Sequence, residues 1–482
     1  MSESITNKPF YITTAIDYVN ADPHAGHAVE KVLTDVVARY HRLLGEETYF
    51  LTGSDENSLK NVQAAEKVGK PTEAVVAFYA EAFQNLSRSL DLSFDQFIRT
   101  TEQKHFAGAK KMWTAFKSED LYKKKYHGLY CVGCEEFKME KDLIEGKCPD
   151  HQKEPEVVEE ENWFFKLSNY QDRLLELVES GTLKVSPDYR RNEVLSFIKM
   201  GLEDFSISRS VARAKGWGVL VPGDDTQIMY VWVDALSNYI TALDYATDGA
   251  LYEKFWAGTG ERVHVIGKGI LRFHAIYWPA MLLSADLPLP TTIYAHEYLT
   301  INGQKLSKSL GNVIHPDELV AKFGIDGTRY LLLTALPYSK DGDLSWDKMT
   351  EKYNADLANG LGNLVSRIVK LSEKLEHEEE RVIDVSEAGV LGALQPFFTK
   401  FDLSSALVHI WTGVQTLNEY LGKEEPWKLE TSSEKFVEVM KYARHQLALI
   451  AAEIEPFLPN TSEKIEMALK TGKVEPLFQR IK

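Results

Sequence analysis

The sequence predicts an α/β protein with a doubly wound parallel sheet, split by an inserted domain and followed by an all-helical domain. Apolar runs alternate with stretches of helical period from residue 10 onward, which is the pattern of strands and crossover helices. A segment that contains every cysteine interrupts this alternation, and no strand pattern follows Trp346. A chain of 482 residues is long enough for three or four domains.

The first half of the sheet is predicted within residues 1–116. Phe10–Ile16 is an apolar run that predicts a buried strand, and an apolar stripe at helical spacing across 29–44 predicts the helix after it. Thr48–Gly53 and Phe94–Ile98 predict the next two strands. Helical patterns lie between these two strands, as a doubly wound fold requires.

The turn between the first strand and the first helix carries the sequence His24-Ala25-Gly26-His27. A helix N-terminus offers backbone N–H groups and the positive end of a dipole to phosphate, and glycine lets a ligand approach the backbone. Asp55, after the second strand, would lie at the same edge of the sheet, where ligands bind in such folds. A turn with two incidental histidines is the alternative.

Residues 117–225 are predicted to form the inserted domain, and they contain all three cysteines. Cys131 and Cys134 are followed, after thirteen residues, by Cys148 and then by His151. Two pairs of ligands separated by a short loop give the spacing of a tetrahedral structural zinc site. We therefore predict one structural Zn²⁺ per chain, with buried structural thiols as the alternative.

The sheet is predicted to resume across residues 226–345. Gln227–Asp234 predicts a strand or strand entry with a helix from Ala235, and Arg262–Gly267 and Thr292–Ala295 predict further strands. Residues 346–482 show helical stripes only, and these predict a helical domain.

Composition and charge narrow the class of protein. A hydrophobic content of 44% and a charged content of 26% are typical of globular proteins. A net charge of −16 argues against non-specific nucleic-acid binding but allows a specific RNA partner. No apolar run approaches the roughly 18 residues of a membrane helix, and the N-terminus lacks a secretory pattern. We expect a cytoplasmic protein that makes no membrane contact.

A second motif, Lys305-Leu306-Ser307-Lys308-Ser309, follows a turn signal at Asn302-Gly303. Two lysines on such a loop suit a triphosphate, because their charge stabilises a leaving pyrophosphate. A lone pair of lysines is common on solvated surfaces, so the motif gains meaning from the histidine motif upstream. Together the two motifs resemble the two-part signature of class I aminoacyl-tRNA synthetases.

Further segments make the chain similar to the methionyl-tRNA synthetase family over essentially its whole length. These segments are Ala15–Asn20, Thr52–Glu56, Tyr230–Ala235, Arg272–His274, Tyr277–Pro279 and Asp341–Trp346. The resemblance implies a Rossmann-type catalytic domain with a single zinc knuckle. It also implies a methionine–tRNA ligase, which converts L-methionine and ATP to methionyl-adenylate and pyrophosphate. Such an enzyme then transfers methionyl to the 3′-terminal adenosine of tRNA(Met), which has a CAU anticodon, for translation initiation and elongation. Mg²⁺ would enter with ATP.

The resemblance also implies roles for individual residues. The catalytic residues would be His24, His27, Lys305 and Lys308, and the ATP site would add Gly26 and Ser307. The methionine-binding residues would be Ala15, Ile16, Tyr18, Asp55, Trp232, Tyr239 and His274, with Asp55 receiving the ammonium group. The anticodon-binding residues would be Asn363, Arg367 and Trp427. Without the resemblance, core packing would explain Trp232 and an ordinary surface would explain Asn363.

The sequence departs from the family pattern at three positions. Asn57 stands where many relatives have a histidine, and Leu306 stands where methionine is commonest. Gly269 stands where some relatives carry an aspartate suited to a ribose hydroxyl. Because glycine has no side chain to accept that hydrogen bond, we expect sugar recognition through backbone or water.

Two kinds of alternative remain, another class I synthetase and a protein without catalytic activity. The isoleucine, valine and leucine enzymes are much longer because of an editing insertion, and a cysteine enzyme would place zinc in its active site. A non-catalytic tRNA-binding paralogue is disfavoured because both signature motifs are intact. The chain ends soon after its last helical pattern, and we therefore expect a monomer.

Overall fold

The computed structural model describes residues 8–133, 136–138, 140, 143–149, 152–305, 313–375 and 387–482. Within these ranges the strands are β1 (Phe10–Thr14), β2 (Asp17–Tyr18), β3 (Thr48–Asp55), β4 (Gln96–Arg99), β5 (Leu121–Cys131), β6 (Glu136–Lys138), β7 (Glu156–Phe165), β8 (Lys184–Ser186), β9 (Phe205–Ser206), β10 (Ser208–Ser210), β11 (Leu220–Val221), β12 (Asp224–Met229), β13 (Glu261–Gly267), β14 (Thr292–His296), β15 (Leu299–Ile301), β16 (Gln304–Lys305) and β17 (Gly342–Leu344).

The α-helices of the same ranges are α1 (Ala25–Leu43), α2 (Leu59–Val68), α3 (Thr72–Ser89), α4 (Gln103–Ala115), α5 (Gln171–Ser180), α6 (Asp188–Lys199), α7 (Val231–Thr241), α8 (Ala250–Tyr252), α9 (Trp278–Ser284), α10 (Pro316–Ala335), α11 (Trp346–Lys352), α12 (Asn363–Ser372), α13 (Glu387–Gly392), α14 (Gln395–Phe398), α15 (Leu403–Glu424), α16 (Glu434–Ile454) and α17 (Pro459–Thr471). Short π-helical segments are Glu253–Ala257, Phe273–Tyr277 and Tyr353–Gly362. None of these helices is long and apolar enough to cross a membrane.

A seven-stranded sheet organises the fold, with β1 near its centre. The strand order is β2-β3-β1-β13-β14-β8, and β4 also pairs with β3. Every one of these pairings is parallel, which confirms the predicted α/β sheet. The chain runs from β1 to β3 on one side and later to β13 on the other. The carboxyl ends of β1 and β13 therefore flank the switch point at which doubly wound folds bind ligands.

The strand β8 extends this sheet into the range that we expect to form the inserted domain. Lys184, Val185 and Ser186 pair in parallel with Thr292, Ile293 and Tyr294. The rest of that range contains a separate antiparallel sheet with the order β6-β5-β7-β9. The chain thus leaves the central sheet after β4, builds three strands of a second sheet, contributes β8 to the central sheet and then adds β9 to the second one.

The expected strand at 227–234 is wrong in its second half. The strand β12 ends at Met229, and the helix α7 begins at Val231. Every residue of α7 is buried, so its apolar pattern has no polar face that would separate a helix from a strand. The consequence is functional, because Trp232 and Tyr239 share this helix and lie about two turns apart.

Beyond Leu344 the described residues contain helices and no strand. Leu357, Leu361, Leu364 and Ile368 are fully buried, which confirms the predicted helical stripe. Their hydrophobic core continues into the face of the central sheet that α1 covers. The helical region is therefore packed directly against α1, the helix that His24 caps.

A buried ion pair lies where α1, α10 and the helical region meet. Arg329 of α10 and Asp35 of α1 are both fully buried, and Nη2 of Arg329 lies 2.8 Å from the Asp35 carboxylate. The guanidinium also donates to the carbonyl oxygens of Phe457 and Leu90, at 2.8 and 3.0 Å. One side chain thus connects α1, the segment after α3 and the turn before α17.

Candidate active site

A cavity of about 380 Å³ opens at the switch point of the central sheet. Its walls include nine residues that the sequence analysis assigns to the site: Ala15, Ile16, Tyr18, His24, His27, Asp55, Trp232, Tyr239 and His274. Eleven further residues complete the lining: Asp17, Asn20, Ala21, Glu30, Lys60, Ala235, Leu236, Asn238, Gly267, Ile270 and Tyr298. Helical spacing could have found Ala235 and Leu236, which lie three and four residues after Trp232.

The two histidines of the first motif cap α1 with their own rings. The backbone N–H of His24 donates to Nδ1 of His27, and the backbone N–H of Gly26 donates to Nδ1 of His24, both at 3.1 Å. The rings are stacked, with centroids 3.7 Å apart. Because each Nδ1 accepts a hydrogen bond, each neutral ring carries its proton on Nε2. The turn therefore presents two imidazole donors beside the helix N-terminus, which is a favourable arrangement for phosphate.

An acidic side chain that sequence reasoning missed lies beside His27. Oδ1 of Asp17 is 3.9 Å from Nε2 of His27, and Oδ2 of Asp17 pairs with the almost fully buried ammonium of Lys31. Burial raises the pKa of Asp17, and the nearby charge of Lys31 opposes that rise. No sequence signal marks this pair, because it is a tertiary contact between β2 and α1.

The apolar end of the cavity holds a neutral pair, Tyr239 and His274. Nδ1 of His274 donates to the carbonyl of Ile270 at 2.9 Å, so its Nε2 accepts from the Tyr239 hydroxyl at 2.7 Å. Burial lowers the pKa of His274 to about 4 and raises the pKa of Tyr239 well above its usual value. Both groups are therefore uncharged at neutral pH. An uncharged, aromatic wall suits a polarisable thioether.

Trp232 and Asp55 add polar groups to the lining of the same cavity. The indole of Trp232 is stacked on Phe273, with ring centroids 3.9 Å apart. Its Nε1 is buried and has no hydrogen-bond partner among the described residues. Asp55 ends β3 and is 3% exposed. The cavity thus offers a donor for a carboxylate and an acid for an ammonium group, which are the two charged groups of an amino acid.

The helix α7 is fixed from behind by buried polar contacts. Nε2 of His105 lies 2.6 Å from the Asp234 carboxylate, and Nδ1 lies 2.8 Å from the Thr241 hydroxyl. The hydroxyl of Tyr11 donates to the backbone carbonyl of Tyr239 at 2.7 Å. These contacts connect α7 to α4 and to the central strand, and they hold Trp232 and Tyr239 in place.

The second motif begins at the end of a β-hairpin. β15 and β16 are joined by Asn302 and Gly303, both with positive φ, which confirms the predicted turn. Leu306, Ser307, Lys308 and the Lys305 side chain lie outside the described residues.

The chain re-enters the described part of the structure against the first motif. The backbone N–H of Ala25 donates to the carbonyl of Ile314 at 2.9 Å. Nδ1 of His315 lies 3.1 Å from the carbonyl oxygen of Pro23. The segment after the lysine motif therefore packs directly on the turn that carries His24 and His27.

The position at which the family often has histidine is turned away from the cavity. Asn57 is buried, and its Nδ2 donates to the carbonyl of Thr100 at 3.0 Å. It is not among the residues that line the cavity. The structure therefore assigns Asn57 to the support of the β3 end rather than to a ligand.

The three expected anticodon residues lie in the helical region. Asn363 is exposed at the start of α12. The guanidinium carbon of Arg367 lies 5.1 Å from the centre of the Trp427 ring, a cation–π distance. Trp427 is 46% exposed, so an aromatic face is accessible beside a positive charge. That is the combination that stacks on unpaired bases.

Two of the four expected zinc ligands are described. Cys131 ends β5 and Cys148 follows a short β-bridge, and both are buried, at 3% and 0% exposure. Cys134 and His151 lie outside the described residues. Among the residues that the structure describes, no group of three or more metal-binding side chains is present. Two buried thiols have the donor chemistry of a structural zinc site.

Comparison with known proteins agrees with this geometry. The family model for tRNA synthetases class I (M) matches residues 10–154 and 141–369. A methionine–tRNA ligase of Rhizobium meliloti is 41% identical over 475 residues, which covers 95% of this chain and 91% of that protein. A methionine–tRNA ligase of Caldanaerobacter subterraneus is 40% identical, covering 95% of this chain and 73% of that one.

A solved structure shows the same fold. The Mycobacterium tuberculosis methionyl-tRNA synthetase in complex with methionyl-adenylate superimposes with a TM-score of 0.89 at 37% identity, covering 95% of this chain and 93% of that one. With a matching family model, relatives near 40% identity and a shared fold, the chain belongs to the methionyl-tRNA synthetase family of class I aminoacyl-tRNA synthetases.

Proposed function

We propose that this chain is a methionine–tRNA ligase that activates methionine in the cavity at the switch point of its sheet. The observation that carries the proposal is the junction of two unlike halves in one cavity. The uncharged Tyr239–His274 pair forms the apolar half, and the His24–His27 turn forms the half suited to phosphate. An amino acid and a nucleotide bound there would meet between the two halves.

Methionine would bind with its thioether against Tyr239 and His274. Its carboxylate would accept a hydrogen bond from Nε1 of Trp232, the buried donor without a partner among the described residues. Its ammonium would pair with Asp55, on the opposite side at the end of β3. Ala15 and Ile16, which follow β1, would form the wall between these groups. This orientation directs the carboxylate toward the histidine turn.

Activation would proceed by attack of a methionine carboxylate oxygen on the α-phosphorus of ATP. The new bond joins that oxygen to phosphorus, and the bond to the β-phosphate oxygen breaks to release pyrophosphate. His24 and His27 would donate from Nε2 to the phosphate oxygens, and the nearby backbone of Gly26 leaves room for them. Such chemistry depends on positioning and charge stabilisation.

The lysine motif would stabilise the leaving pyrophosphate. Lys305 and Lys308 would supply positive charge, and Ser307 would supply a hydroxyl. The packing of Ile314 on Ala25 supports this role, because it returns the motif's chain to the phosphate-binding turn. Mg²⁺ would enter as the ATP complex and neutralise part of the phosphate charge.

Transfer to tRNA would use the helical region for selection. The 3′-terminal ribose hydroxyl of tRNA(Met) attacks the carbonyl of the adenylate, an ester bond forms and AMP leaves. Trp427 and Arg367 would stack on bases of the CAU anticodon, and the exposed amide of Asn363 would bond a base edge. We also propose that the enzyme is cytoplasmic, because tRNA(Met) is used there.

A structural zinc ion would stabilise the tip of the inserted sheet. Cys131, Cys134, Cys148 and His151 would hold it, and the burial of both described thiols supports the assignment. Three thiolates and one imidazole fill the four positions, so the ion would have no open position for catalysis.

Amino-acid-dependent exchange of pyrophosphate into ATP tests the proposed activity. We expect exchange with methionine, and only weak exchange with isoleucine, leucine, valine or cysteine at equal concentration. The absence of exchange with methionine in folded protein would refute the proposal. Charging of tRNA(Met) in the same preparation separates a complete ligase from one that forms only the adenylate.

A further inference from the structure

Tyr298 lies across the backbone of the turn that follows β13. The turn consists of Gly267, the last residue of β13, and the short 3₁₀ segment Lys268–Ile270 that follows it. A Cβ atom placed on Gly269 would lie 2.0 Å from the Tyr298 hydroxyl oxygen, and one on Gly267 would lie 3.4 Å from Cε1 of its ring. Any side chain at position 269 would displace the hydroxyl. Glycine at this position is therefore what leaves room for the hydroxyl.

Several contacts hold Tyr298 in this position. Its backbone N–H donates to Oδ1 of Asp341 at 2.9 Å, and its carbonyl accepts from the N–H of Gly342 at 2.8 Å. The ammonium of Lys268 lies 5.0 Å from the ring centre, and it also pairs with Asp341 at 2.6 Å. The ring is thus fixed between β17 and the glycine turn, although the residue is 36% exposed.

The hydroxyl stands at the end of the cavity that a nucleoside would occupy. Tyr298 and Gly267 line the cavity at the ends of β14 and β13, whereas Asp55 ends β3 on the other side of β1. With the methionine ammonium at Asp55 and the phosphates at His24, the sugar must extend over β13 and β14. Tyr298, which follows β14, lines the cavity beside Gly267.

We propose that the Tyr298 hydroxyl hydrogen-bonds a ribose hydroxyl of ATP and of methionyl-adenylate, and that Gly269 is needed to admit it. The inference rests on the proposed function for the placement of the sugar. A phenol can donate to a ribose hydroxyl and also accept from it. Because Gly269 has no side chain, Tyr298 would supply the polar group from the segment between β14 and β15.

The test compares ATP with 2′-deoxy-ATP and 3′-deoxy-ATP in methionine-dependent pyrophosphate exchange. In the wild type we expect one deoxynucleotide to have a kcat/KM about 3- to 10-fold below that of ATP, as loss of one hydrogen bond predicts. Tyr298→Phe keeps the ring and removes the hydroxyl. It should raise the KM for ATP by the same factor. The ratio of kcat/KM for ATP to kcat/KM for the affected deoxynucleotide should then be close to one. This ratio does not depend on the folded fraction of the variant.

A second variant tests the role of the glycine. Gly269→Ala should raise the KM for ATP about as much as Tyr298→Phe, because the new methyl displaces the hydroxyl. In the double variant the two effects should not add, since the nearest remaining ring atom, Cζ, is 3.3 Å away. Additive effects would show that the alanine acts elsewhere.

Each outcome decides between the proposals. If Tyr298→Phe keeps the wild-type ratio for both deoxynucleotides, the ribose contact is refuted even though the ligase is active. If the wild type shows no exchange with methionine, the proposed function fails instead. Equilibrium binding of ATP and the two deoxynucleotides to the wild type and to Tyr298→Phe then still tests the sugar contact.

Discussion

The backbone N–H of Ala25 donates to the carbonyl oxygen of Ile314 at 2.9 Å, across 289 positions of the chain. The first residue belongs to the histidine turn, and the second follows the lysine motif. A hydrogen bond between backbones is independent of side-chain chemistry, so it holds Ile314 on the histidine turn whatever the side chains are. The described chain therefore resumes after the lysine motif in contact with the first half of the proposed phosphate site.

Replacing His24 should slow methionine activation sharply. In His24→Ala we expect the rate of pyrophosphate exchange to fall about 100- to 1,000-fold, the usual cost of one lost donor to a developing charge. The side chain also accepts from the N–H of Gly26, so the variant should lose about 1 kcal/mol of stability as well.

A matched variant separates these two effects. His445 is an exposed histidine on α16, far along the chain from the motif, and His445→Ala should keep the wild-type exchange rate. Circular dichroism and melting temperature report the folded fraction of both variants. A His24→Ala enzyme that is folded and exchanges at the wild-type rate would remove His24 from the phosphate site.

Stability should fall as the pH drops below the ordinary pKa of histidine. Burial lowers the pKa of His274 from 6.5 to about 4, and burial also lowers the pKa of His264 well below its usual value. Between pH 6.5 and about 4 the unfolded chain therefore binds protons that the folded chain does not bind. Stability then rises with pH across this window, and His274 alone contributes about 2 kcal/mol between pH 5 and pH 7.5.

Urea unfolding at pH 5 and pH 7.5 measures this dependence. His274→Gln keeps an acceptor for the Tyr239 hydroxyl and cannot titrate, so its two unfolding free energies should differ less than those of the wild type. His445→Gln, at an exposed position, should retain the wild-type difference. An unchanged difference in His274→Gln would mean that the pKa of His274 is the same in the folded and the unfolded protein.

Removal of zinc should loosen the inserted domain. We expect one zinc ion per chain by elemental analysis of protein purified without chelator, and little in Cys148→Ser, because its thiol is fully buried. Chelation should make residues 117–183 more sensitive to protease, since a structural zinc site contributes folding energy. A mock dialysis without chelator is the control. Wild-type protein with no zinc would contradict the ligand assignment.

The sheet and the ligand pocket follow from local sequence patterns to different extents. β1 was predictable from its apolar run and α1 from an apolar stripe at helical spacing, and Asp55 and His274 were found because they lie in family motifs. The pairing of Asp17 with Lys31 and the attachment of β8 to β14 were not predictable. Both depend on which elements the fold brings together, and a pattern within one segment carries no information about that.

The helix α7 illustrates a second limit. It is buried on every side, so its residues show neither the alternation of a strand nor the stripe of a surface helix. The placement of Trp232 on a helix with Tyr239 could be inferred only conditionally. Contacts far along the chain decide it, such as the one between His105 and Asp234.

Breaking the buried pair between α1 and α10 should destabilise the protein. In Arg329→Met the carboxylate of Asp35 loses its fully buried partner and keeps the partly exposed Arg39, so we expect the free energy of unfolding to fall by about 3 kcal/mol, the lower end for a broken buried pair. Lys352 pairs with Asp356 at 2.8 Å on the surface, and Lys352→Met should cost less than about 1 kcal/mol. Thermal or urea unfolding compares the two variants. Equal effects would show that Arg329 contributes no more than a surface ion pair.

Substitution of Trp427 should separate tRNA charging from methionine activation. Trp427 is 46% exposed and lies beside Arg367, so Trp427→Ala should remove a stacking surface without opening a cavity in the core. We expect kcat/KM for charging of tRNA(Met) to fall about 10- to 100-fold, as the loss of base stacking predicts. Pyrophosphate exchange needs no tRNA and reports the first step separately.

Phe78→Ala, at a 65% exposed aromatic on α3, is the matched control. Because stacking selects bases, the same variant should also discriminate less between tRNA(Met) and a tRNA with an altered anticodon. An equal loss in charging and in exchange would place Trp427 in the folding core instead.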